Sequence, residues 1–105
     1  MIIVGFDLIA ALLVREARRR PKQAKTLDRR IAAWRAEVEK AAWRRPTDIK
    51  AVYGSADVIG GDRVVFDICR NSYRLVVHVN YTAGVVRVRF AGDHAEYDKI
   101  DATAV

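Results

Sequence analysis

A short segment near the end of the chain gathers side chains that can transfer protons. Residues 92–99 read Gly-Asp-His-Ala-Glu-Tyr-Asp-Lys and include one of the two histidines. If a helical turn begins here, His94 and Tyr97 lie three residues apart and share a face. Cleavage of RNA without a metal requires a base for the 2′-hydroxyl, cations beside the phosphorane and an acid for the leaving 5′-oxygen. Histidine, tyrosine and arginine can fill those roles.

Two interpretations of this segment stay open on the residues alone. In the first, His94 is the acid or base, because histidine exchanges protons near neutral pH, and Tyr97 orients the reacting groups or transfers a proton. In the second, His94 caps the end of a strand and Tyr97 buries its ring with its hydroxyl in water. The other histidine, His78, falls in mid-strand, where it is interpreted as a cross-strand neighbour.

Other chemistries lack the residues that they need. The chain has no Gly-x-x-x-x-Gly-Lys loop to hold a phosphate and no Cys/His cluster spaced for zinc. Cys69 has no evident base beside it, which argues against a thiol nucleophile. Glu96, Asp98 and Asp101 are scattered on a terminal turn, a pattern that favours solvation over metal binding. We therefore predict neither a metal nor another cofactor.

Positive charge is concentrated in the first half of the chain. Residues 15–50 hold 13 Lys/Arg against 5 Asp/Glu, whereas residues 1–14 and 51–105 each carry a net charge of −1. Such a block favours a phosphate-bearing partner, because each neutralised phosphate releases counterions. A solvated helix surface, or an acidic protein partner, would fit the same block.

Length and composition predict one domain, spanning residues 1–105. A chain of this length that is 51% hydrophobic can bury a single core. The single cysteine excludes an internal disulfide and no secretory signal is evident, so we expect the cytoplasm. The apolar run from Ile2 to Val14 is interrupted by Asp7 and is shorter than the roughly 20 residues of a membrane span. It is assigned to the core, and no membrane contact is expected.

The first residues predict a strand followed by a helix. Ile2–Val4 is β-branched and ends at Gly5, as a short strand would. Asp7 is expected to cap a helix that runs to about Arg20. Pro21 then stops that helix, because proline cannot donate the next backbone hydrogen bond.

A second helix is expected to start at Thr26 as its N-cap and to end near residues 43–45. Its apolar residues recur every three or four positions: Leu27, Ile31, Trp34, Val38 and Ala42. Its tryptophan and Trp43 are interpreted as packing residues rather than as platforms for nucleotide bases. Thr47 or Asp48 could cap one further turn from Ile49 to Tyr53.

After residue 61 the hydrophobic period becomes two, which predicts three strands at Arg63–Cys69, Tyr73–Tyr81 and Val85–Ala91. The polar faces of the last two strands would place Asn80 near Arg87 and His78 near Arg89. The opposite faces would form the apolar layer under the helices: Tyr73, Leu75, Val77, Val79, Val86, Val88 and Phe90. The expected fold is α+β, with a short N-terminal strand and two helices on one face of a small antiparallel sheet and a short C-terminal helical turn.

Five motifs in chain order carry a resemblance. They are Asp48-Ile-Lys-Ala-Val-Tyr, Arg63-Val-Val-Phe-Asp-Ile, Asn71-Ser-Tyr-Arg-Leu-Val-Val, Val79-Asn-Tyr and Gly92-Asp-His-Ala-Glu-Tyr-Asp-Lys-Ile-Asp. Together they resemble the HigB toxin family, within the wider RelE-like superfamily, from about Leu27 to Asp101. Several linked motifs in one order are more specific than any one of them.

The resemblance implies a RelE-like fold and an mRNA interferase that usually acts on transcripts engaged by the ribosome. It also implies a helix-turn-helix antitoxin of the HigA kind as partner. Arg74 then corresponds to the phosphate-binding arginine, and His94 and Tyr97 fall in the C-terminal catalytic motif. The expected catalytic residues are His94, Tyr97, Arg74 and Arg89, and the expected RNA contacts are Lys50, Asn71, Arg70, Arg87 and His78.

Some positions depart from the family pattern. Cys69-Arg70-Asn71 stands where Lys-Gly-Asn is more usual, Asp67 where Asn is usual and Asp93 where Thr is usual. A carboxylate beside the scissile phosphate would repel it unless Arg70 or Arg89 pairs with it. Lysines that other RelE-like enzymes carry on the preceding strand are absent, which leaves the general base unassigned. The apolar opening, residues 1–14, also differs from the more polar opening of the family.

The leading hypothesis is therefore an endoribonuclease that cleaves by 2′-hydroxyl attack, with His94 as proton shuttle. The alternative is a catalytically weak module on the same scaffold that binds RNA or an antitoxin through its basic helices. A basic DNA-binding domain is a third possibility, but no recognition helix of the helix-turn-helix kind is evident.

Overall fold

The computed structural model describes residues 1–105, which form four helices and five strands joined by turns and loops. The helices are α1 (Phe6–Arg19), α2 (Pro21–Lys40), α3 (Pro46–Val52) and α4 (His94–Tyr97). The strands are β1 (Ile2–Val4), β2 (Asp57–Ile59), β3 (Arg63–Ile68), β4 (Tyr73–Asn80) and β5 (Val85–Asp93). The helices α1 and α2 pack against each other and over one face of the sheet, which confirms the predicted α+β fold of two layers.

Gly5 determines where α1 begins. Its φ is +82°, and a Cβ at this position would lie 2.8 Å from the main-chain oxygen of Val88, so no larger residue fits without a shift. The helix starts directly after it, and Asp7 lies in the first turn. The prediction that Asp7 caps the helix is wrong, whereas the predicted end is close to the observed one at Arg19.

Helix α2 begins five residues earlier than Thr26, the predicted cap. Pro21 occupies its first turn, where a fixed φ suits the helix and no backbone donor is missed. The buried face extends back to Ala24, so packing against the sheet supports the extra turn. The helix ends at Lys40 rather than at residues 43–45, because Ala41 is extended with ψ of 155°.

Helix α3 also begins at a proline, Pro46, and not at the predicted Ile49. The carboxylate of Asp48 accepts hydrogen bonds from the main-chain nitrogens of Arg44 and Arg45 at 2.9 and 3.3 Å. The sequence therefore identified a residue that caps this helix, but Asp48 acts from the third position of the helix rather than from its N-cap.

The sheet has the strand order β1-β5-β4-β3-β2. Strands β2 to β5 pair antiparallel in chain order, as predicted for the last three. The first strand joins the far edge and pairs parallel with β5, Ile2 opposite Val85, so the complete sheet is mixed. The short edge strand β2 was not predicted, because three residues are too few to show a period.

The register between β4 and β5 differs from the prediction by two residues. His78 lies opposite Arg87 and Asn80 lies opposite Val85, so both strands keep their predicted faces near the turn. Further along, Val77 faces Val88 but Val76 faces Phe90, which makes Arg89 the extra residue of a β-bulge.

Beyond the bulge the alternation of β5 is inverted. Ala91 packs against the core under the helices, where Phe90 was expected. The Phe90 ring instead lies 6.3 Å from the ring of Tyr97, centroid to centroid. The hydrophobic period could not predict this change, because a bulge depends on how two strands twist and pair.

The main core lies between the helices and the sheet. Trp34 and Trp43 are 2% and 6% exposed and both pack against Phe66, which confirms that they are packing residues. We call the opposite side of the sheet the open face. Residues 98–105 cross part of it, since Arg63 on that face donates to the main-chain oxygen of Val105 at 2.7 and 3.0 Å. None of the helices combines the length and the hydropathy that a membrane span requires.

Candidate functional site

The candidate site lies where β4 begins and β5 ends. Asp93, the last residue of β5, pairs with Tyr73 and is the N-cap of α4. Its carboxylate accepts from the main-chain nitrogen of Glu96 at 2.8 Å, while Glu96 accepts from the main-chain nitrogen of Asp93 at 3.1 Å. The main-chain nitrogen of His94 donates to Ser72 at 3.0 Å. This reciprocal capping box fixes where α4 leaves the sheet.

Arg74 is brought together with Tyr97 on the open face. Its guanidinium carbon lies 5.5 Å from the centre of the Tyr97 ring, within the range of a cation–π contact. Across the sheet, Nη1 of Arg74 lies 2.7 Å from Oδ1 of Asp67, and the Arg74 side chain is only 15% exposed. Nη1 is buried against this carboxylate, whereas Nε and Nη2 form no hydrogen bond within the protein and are not buried. A substrate oxygen could accept from these two nitrogens.

His94 is the exposed member of the site. Its Nε2 lies 3.3 Å from Oδ2 of Asp98, one helical turn further along, and its side chain is 54% exposed. The other ring nitrogen makes no hydrogen bond within the protein. Asp98 lies close enough to pair with a protonated imidazole, and the other ring nitrogen is left to meet a substrate. Sequence analysis assigned Asp98 only to solvation, although its i,i+4 spacing from His94 was a usable signal.

Arg89, expected beside the phosphate, is not part of this cluster. As the bulge residue of β5 it is exposed and lines a shallow cavity of about 380 Å³ with Arg87 and the beginning of α1. His78 lies opposite Arg87. These three residues form a second basic patch on the sheet, with no ion pair or hydrogen bond to the α4 cluster.

Of the remaining predicted RNA contacts, Lys50 makes no hydrogen bond to α4, whereas Arg70 and Asn71 lie beside Ser72, whose main-chain oxygen accepts from His94. The ammonium of Lys50 donates to the main-chain oxygens of Gly54 and Ala56 at 2.8 Å each, so it holds a loop. Arg70 and Asn71 lie in the turn between β3 and β4. Arg70 has a φ of +64°, a left-handed conformation that costs about 1–2 kcal/mol for a residue with a Cβ.

The two acidic departures find cations, but not those expected. Asp67 pairs with Arg74 and not with Arg70 or Arg89. Oδ2 of Asp93 lies 3.6 Å from Nη1 of Arg20 on the other side of the sheet. The expected partners are wrong because the outward strand residues of β3 and β4 face each other directly, and because Asp93 turns towards the helices.

Sequence reasoning missed a polar cluster behind the site that joins Glu16 of α1, Arg20 at the α1–α2 junction and Tyr73 of β4. Glu16 is fully buried, and Oε1 accepts from the hydroxyl of Tyr73 at 2.5 Å and from Arg20 at 3.1 Å. Burial, followed by the hydrogen bond to Glu16, raises the pKa of Tyr73 to about 12. The signal was available, because Glu16 continues the spacing of the buried Ile9 and Leu12 on one helix face.

Neither a metal centre nor a reactive thiol emerges from the structure. No group of three or more His, Cys, Asp or Glu side chains is close enough to hold a metal ion. Burial raises the pKa of the Cys69 thiol, against a smaller opposing effect of the Arg30 charge. A thiol with a raised pKa is a weak nucleophile, so the ionisable groups near α4 remain the candidates for chemistry.

Comparison with protein families identifies the chain. A family model described as HigB toxin, the RelE-like toxic component of a toxin–antitoxin system, matches residues 27–100. The chain belongs to this family. Membership in the HigB toxin family makes it the toxic component of such a system, with an antitoxin as its counterpart. The match confirms the resemblance seen in the motifs, contains the whole α4 cluster and leaves β1 and α1 outside. A search of curated proteins finds no match.

Proposed function

We propose that the chain is a metal-independent endoribonuclease that cleaves mRNA in the cytoplasm, on transcripts engaged by the ribosome. The observation that carries the proposal is the cluster at α4 of a HigB-family chain. Its members are a guanidinium with two nitrogens that form no hydrogen bond within the protein, a tyrosine beside it and an exposed histidine near a carboxylate. These are the groups that metal-free phosphodiester cleavage requires.

The chemistry follows from what each side chain can do. Arg74 binds the scissile phosphate, and Tyr97 hydrogen-bonds the attacking 2′-hydroxyl. The 2′-oxygen forms a bond to phosphorus and its proton passes to water. The bond from phosphorus to the 5′-oxygen breaks, and protonated His94, held by Asp98, donates a proton to that oxygen. The products are a 2′,3′-cyclic phosphate and a 5′-hydroxyl end.

The second basic patch would bind the RNA strand on one side of the scissile phosphate. Arg87, Arg89 and His78 carry no substrate chemistry in this proposal, and they bind phosphates further along the strand. Exposed arginines contribute affinity that decreases with salt. Arg70 and Asn71 would meet the strand at the β3–β4 turn. Lys50 has no contact role here, because two carbonyl groups already occupy its ammonium.

The antitoxin is proposed to be a helix-turn-helix protein of the HigA kind with an acidic surface for the toxin. The basic block in residues 15–50 is exposed along α1 and α2 and would attract such a surface. Co-expression with a candidate helix-turn-helix antitoxin would test this partner. The two proteins should co-purify, and the complex should weaken as the salt concentration rises.

One experiment tests the nuclease directly. Wild type, His94→Ala and the matched variant His78→Ala are induced in cells while new 5′ ends in mRNA are mapped. We expect His94→Ala to reduce cleavage roughly 10²-fold or more, the usual effect of a lost acid or base. His78→Ala removes the same group from the basic patch and should weaken cleavage much less. New mRNA ends produced equally by wild type and His94→Ala would refute the assignment.

A catalytically weak binding module is the second candidate. The ion pair between Asp67 and Arg74 favours it, since the carboxylate partly neutralises the arginine and repels a phosphate. In that case folded wild type and His94→Ala would both leave mRNA intact. Charge reversal at Arg18, Arg19 and Arg30 would then abolish binding of RNA or antitoxin.

A further inference from the structure

Helix α4 has four residues and cannot hold its own orientation. A helix this short is unstable in isolation, because nucleation is unfavourable and few backbone bonds follow it. Its direction, and with it the placement of His94 and Tyr97, must come from contacts with the rest of the protein. Two of those contacts are made by arginines of α1 and of the α1–α2 junction.

The first contact is an ion pair between Arg15 of α1 and Glu96 of α4. Nη2 of Arg15 donates to both carboxylate oxygens of Glu96, at 2.9 and 3.0 Å. The same Glu96 closes the capping box of α4 on the main-chain nitrogen of Asp93. Arg15 therefore fixes a side chain that in turn fixes the first turn of α4.

The second contact comes from the residue that joins α1 to α2. Nη1 of Arg20 lies 3.1 Å from Glu16 and 3.6 Å from Asp93, so one guanidinium bridges two carboxylates. Glu16 is fully buried and Asp93 is 8% exposed. Buried carboxylates are stable only when paired. Arg20 thereby ties the N-cap of α4 to a carboxylate that cannot move out of the core.

We propose that Arg15 and Arg20 are positioning residues that set the orientation of α4 for catalysis. The assignment rests on the proposed nuclease function. Neither arginine touches the substrate, and each acts through a carboxylate of the α4 capping box. The N-terminal segment that the family model does not cover is thus part of the machinery that makes the site competent.

The kinetics of cleavage of a model mRNA bound to ribosomes distinguish a positioning role from a simple loss of charge. Arg15→Gln and Arg20→Gln are compared with Arg18→Gln, which removes one positive charge from the exposed surface of α1 and breaks no ion pair. A small displacement of reacting groups lowers the rate strongly, so we expect kcat to fall roughly tenfold or more in the first two variants. All three should show similar changes in KM.

Conservative variants provide the rescue. Arg20→Lys keeps a cation between Glu16 and Asp93 and should recover most of kcat. Because a single nitrogen of Arg15 makes both contacts to Glu96, Arg15→Lys can keep the ion pair and should also recover part of kcat. Loss of kcat without recovery in Arg20→Lys would contradict a role based on charge.

Hydrogen exchange tests the positioning independently of cleavage. The reporters are the amides of His94, Glu96 and Asp98, which bond to Ser72, Asp93 and His94 respectively. Arg15→Gln should accelerate their exchange while amides in the middle of β4 and β5 stay protected. Exchange and kcat equal to those of Arg18→Gln would overturn the proposal.

Hydrogen exchange also distinguishes a failure of the nuclease function from a failure of α1 to orient α4. If wild type does not cleave, the proposed function fails, and a catalytic role for the two arginines fails with it. Accelerated exchange at α4 in Arg15→Gln would still establish that α1 orients this helix. The half-exposed Arg15 makes that variant tolerable to the fold, should Arg20→Gln not fold.

Discussion

Tyr73 and Arg74 are neighbours in β4, and each belongs to a polar cluster on a different face of the sheet. The two clusters contain the same types of residue. Under the helices, Tyr73 meets Glu16 and Arg20. On the open face, Arg74 meets Asp67 and Tyr97. Each cluster holds an arginine, a carboxylate and a tyrosine, and the helix-side arginine also lies 3.6 Å from a second carboxylate, that of Asp93.

Their surroundings separate them. The carboxylate of the helix-side cluster is fully buried and accepts hydrogen bonds from both partners. The carboxylate of the open-face cluster is 24% exposed, and two nitrogens of its arginine form no hydrogen bond within the protein. Breaking a buried charge pair destabilises the fold, whereas a cluster at the surface can bind a substrate through its remaining donors. The same residue types therefore do structural work on one face and chemical work on the other.

Loss of the open-face arginine should have the largest effect. Arg74→Ala removes the group that stabilises the phosphorane, so we expect cleavage to fall roughly 10²–10³-fold. The unfolding free energy should fall by about 1 kcal/mol or less, because the partner that Arg74→Ala leaves behind, Asp67, is partly exposed. Rates of cleavage and urea denaturation of the same preparation check both statements. A large drop in stability would remove the contrast between the clusters.

Loss of the helix-side carboxylate should do the reverse. Glu16→Ala leaves the Tyr73 hydroxyl and Arg20 without their shared partner, and we expect the unfolding free energy to fall by about 3 kcal/mol. Asp67→Ala is the matched variant on the open face and should cost less than about 1 kcal/mol. Equal destabilisation by the two variants in urea would show that burial does not separate them.

Alkaline pH should weaken the helix-side cluster. Since the pKa of Tyr73 is raised to about 12, the folded state favours the neutral phenol. Its contribution is complete below pH 10 and is lost as the pH rises from 10 towards 12. Tyr73→Phe should lower the unfolding free energy by about 1–2 kcal/mol at neutral pH and should lack this alkaline component. The unfolding free energies of wild type and Tyr73→Phe are measured between pH 8 and 12. If both change with pH by the same amount, Tyr73 makes no alkaline contribution to stability.

Relief of the open-face ion pair should have the smallest effect. Asp67→Asn keeps the shape of the side chain but removes the charge beside Arg74, so we expect cleavage to rise roughly three- to tenfold. This corresponds to about 1 kcal/mol, the scale of a partly exposed ion pair. The measurement is the rate at which each protein cleaves a model mRNA bound to ribosomes. A slower variant would mean that Asp67 contributes to the reaction.

The sequence predicted those features that depend on local pattern. Alternating residues located three strands, and the i,i+3 spacing placed His94 and Tyr97 on one short helix. The motif around Arg74 placed it beside Tyr97 through the resemblance to HigB toxins. These residues lie on elements whose neighbours along the chain decide their direction.

The rest depends on contacts between distant parts of the chain. The bulge at Arg89 follows from the pairing of two strands, and it removed that residue from the predicted site. The cluster around Glu16 joins residues 57 positions apart, and no spacing rule connects them. Lys50 matched a family position, yet its ammonium has local carbonyl partners that only the three-dimensional structure reveals.

The extra residue in β5 gives one strand two different neighbourhoods. Before Arg89, every second side chain supports the helices; after it, the side chains of the opposite parity do so. Removal of Arg89 would leave Phe90 opposite Val76 and Ala91 opposite Leu75, so the strand would pair without a bulge and both of its surfaces would be kept. A deletion between the bulge and α4 would instead exchange the inner and outer surfaces of the strand end that carries α4.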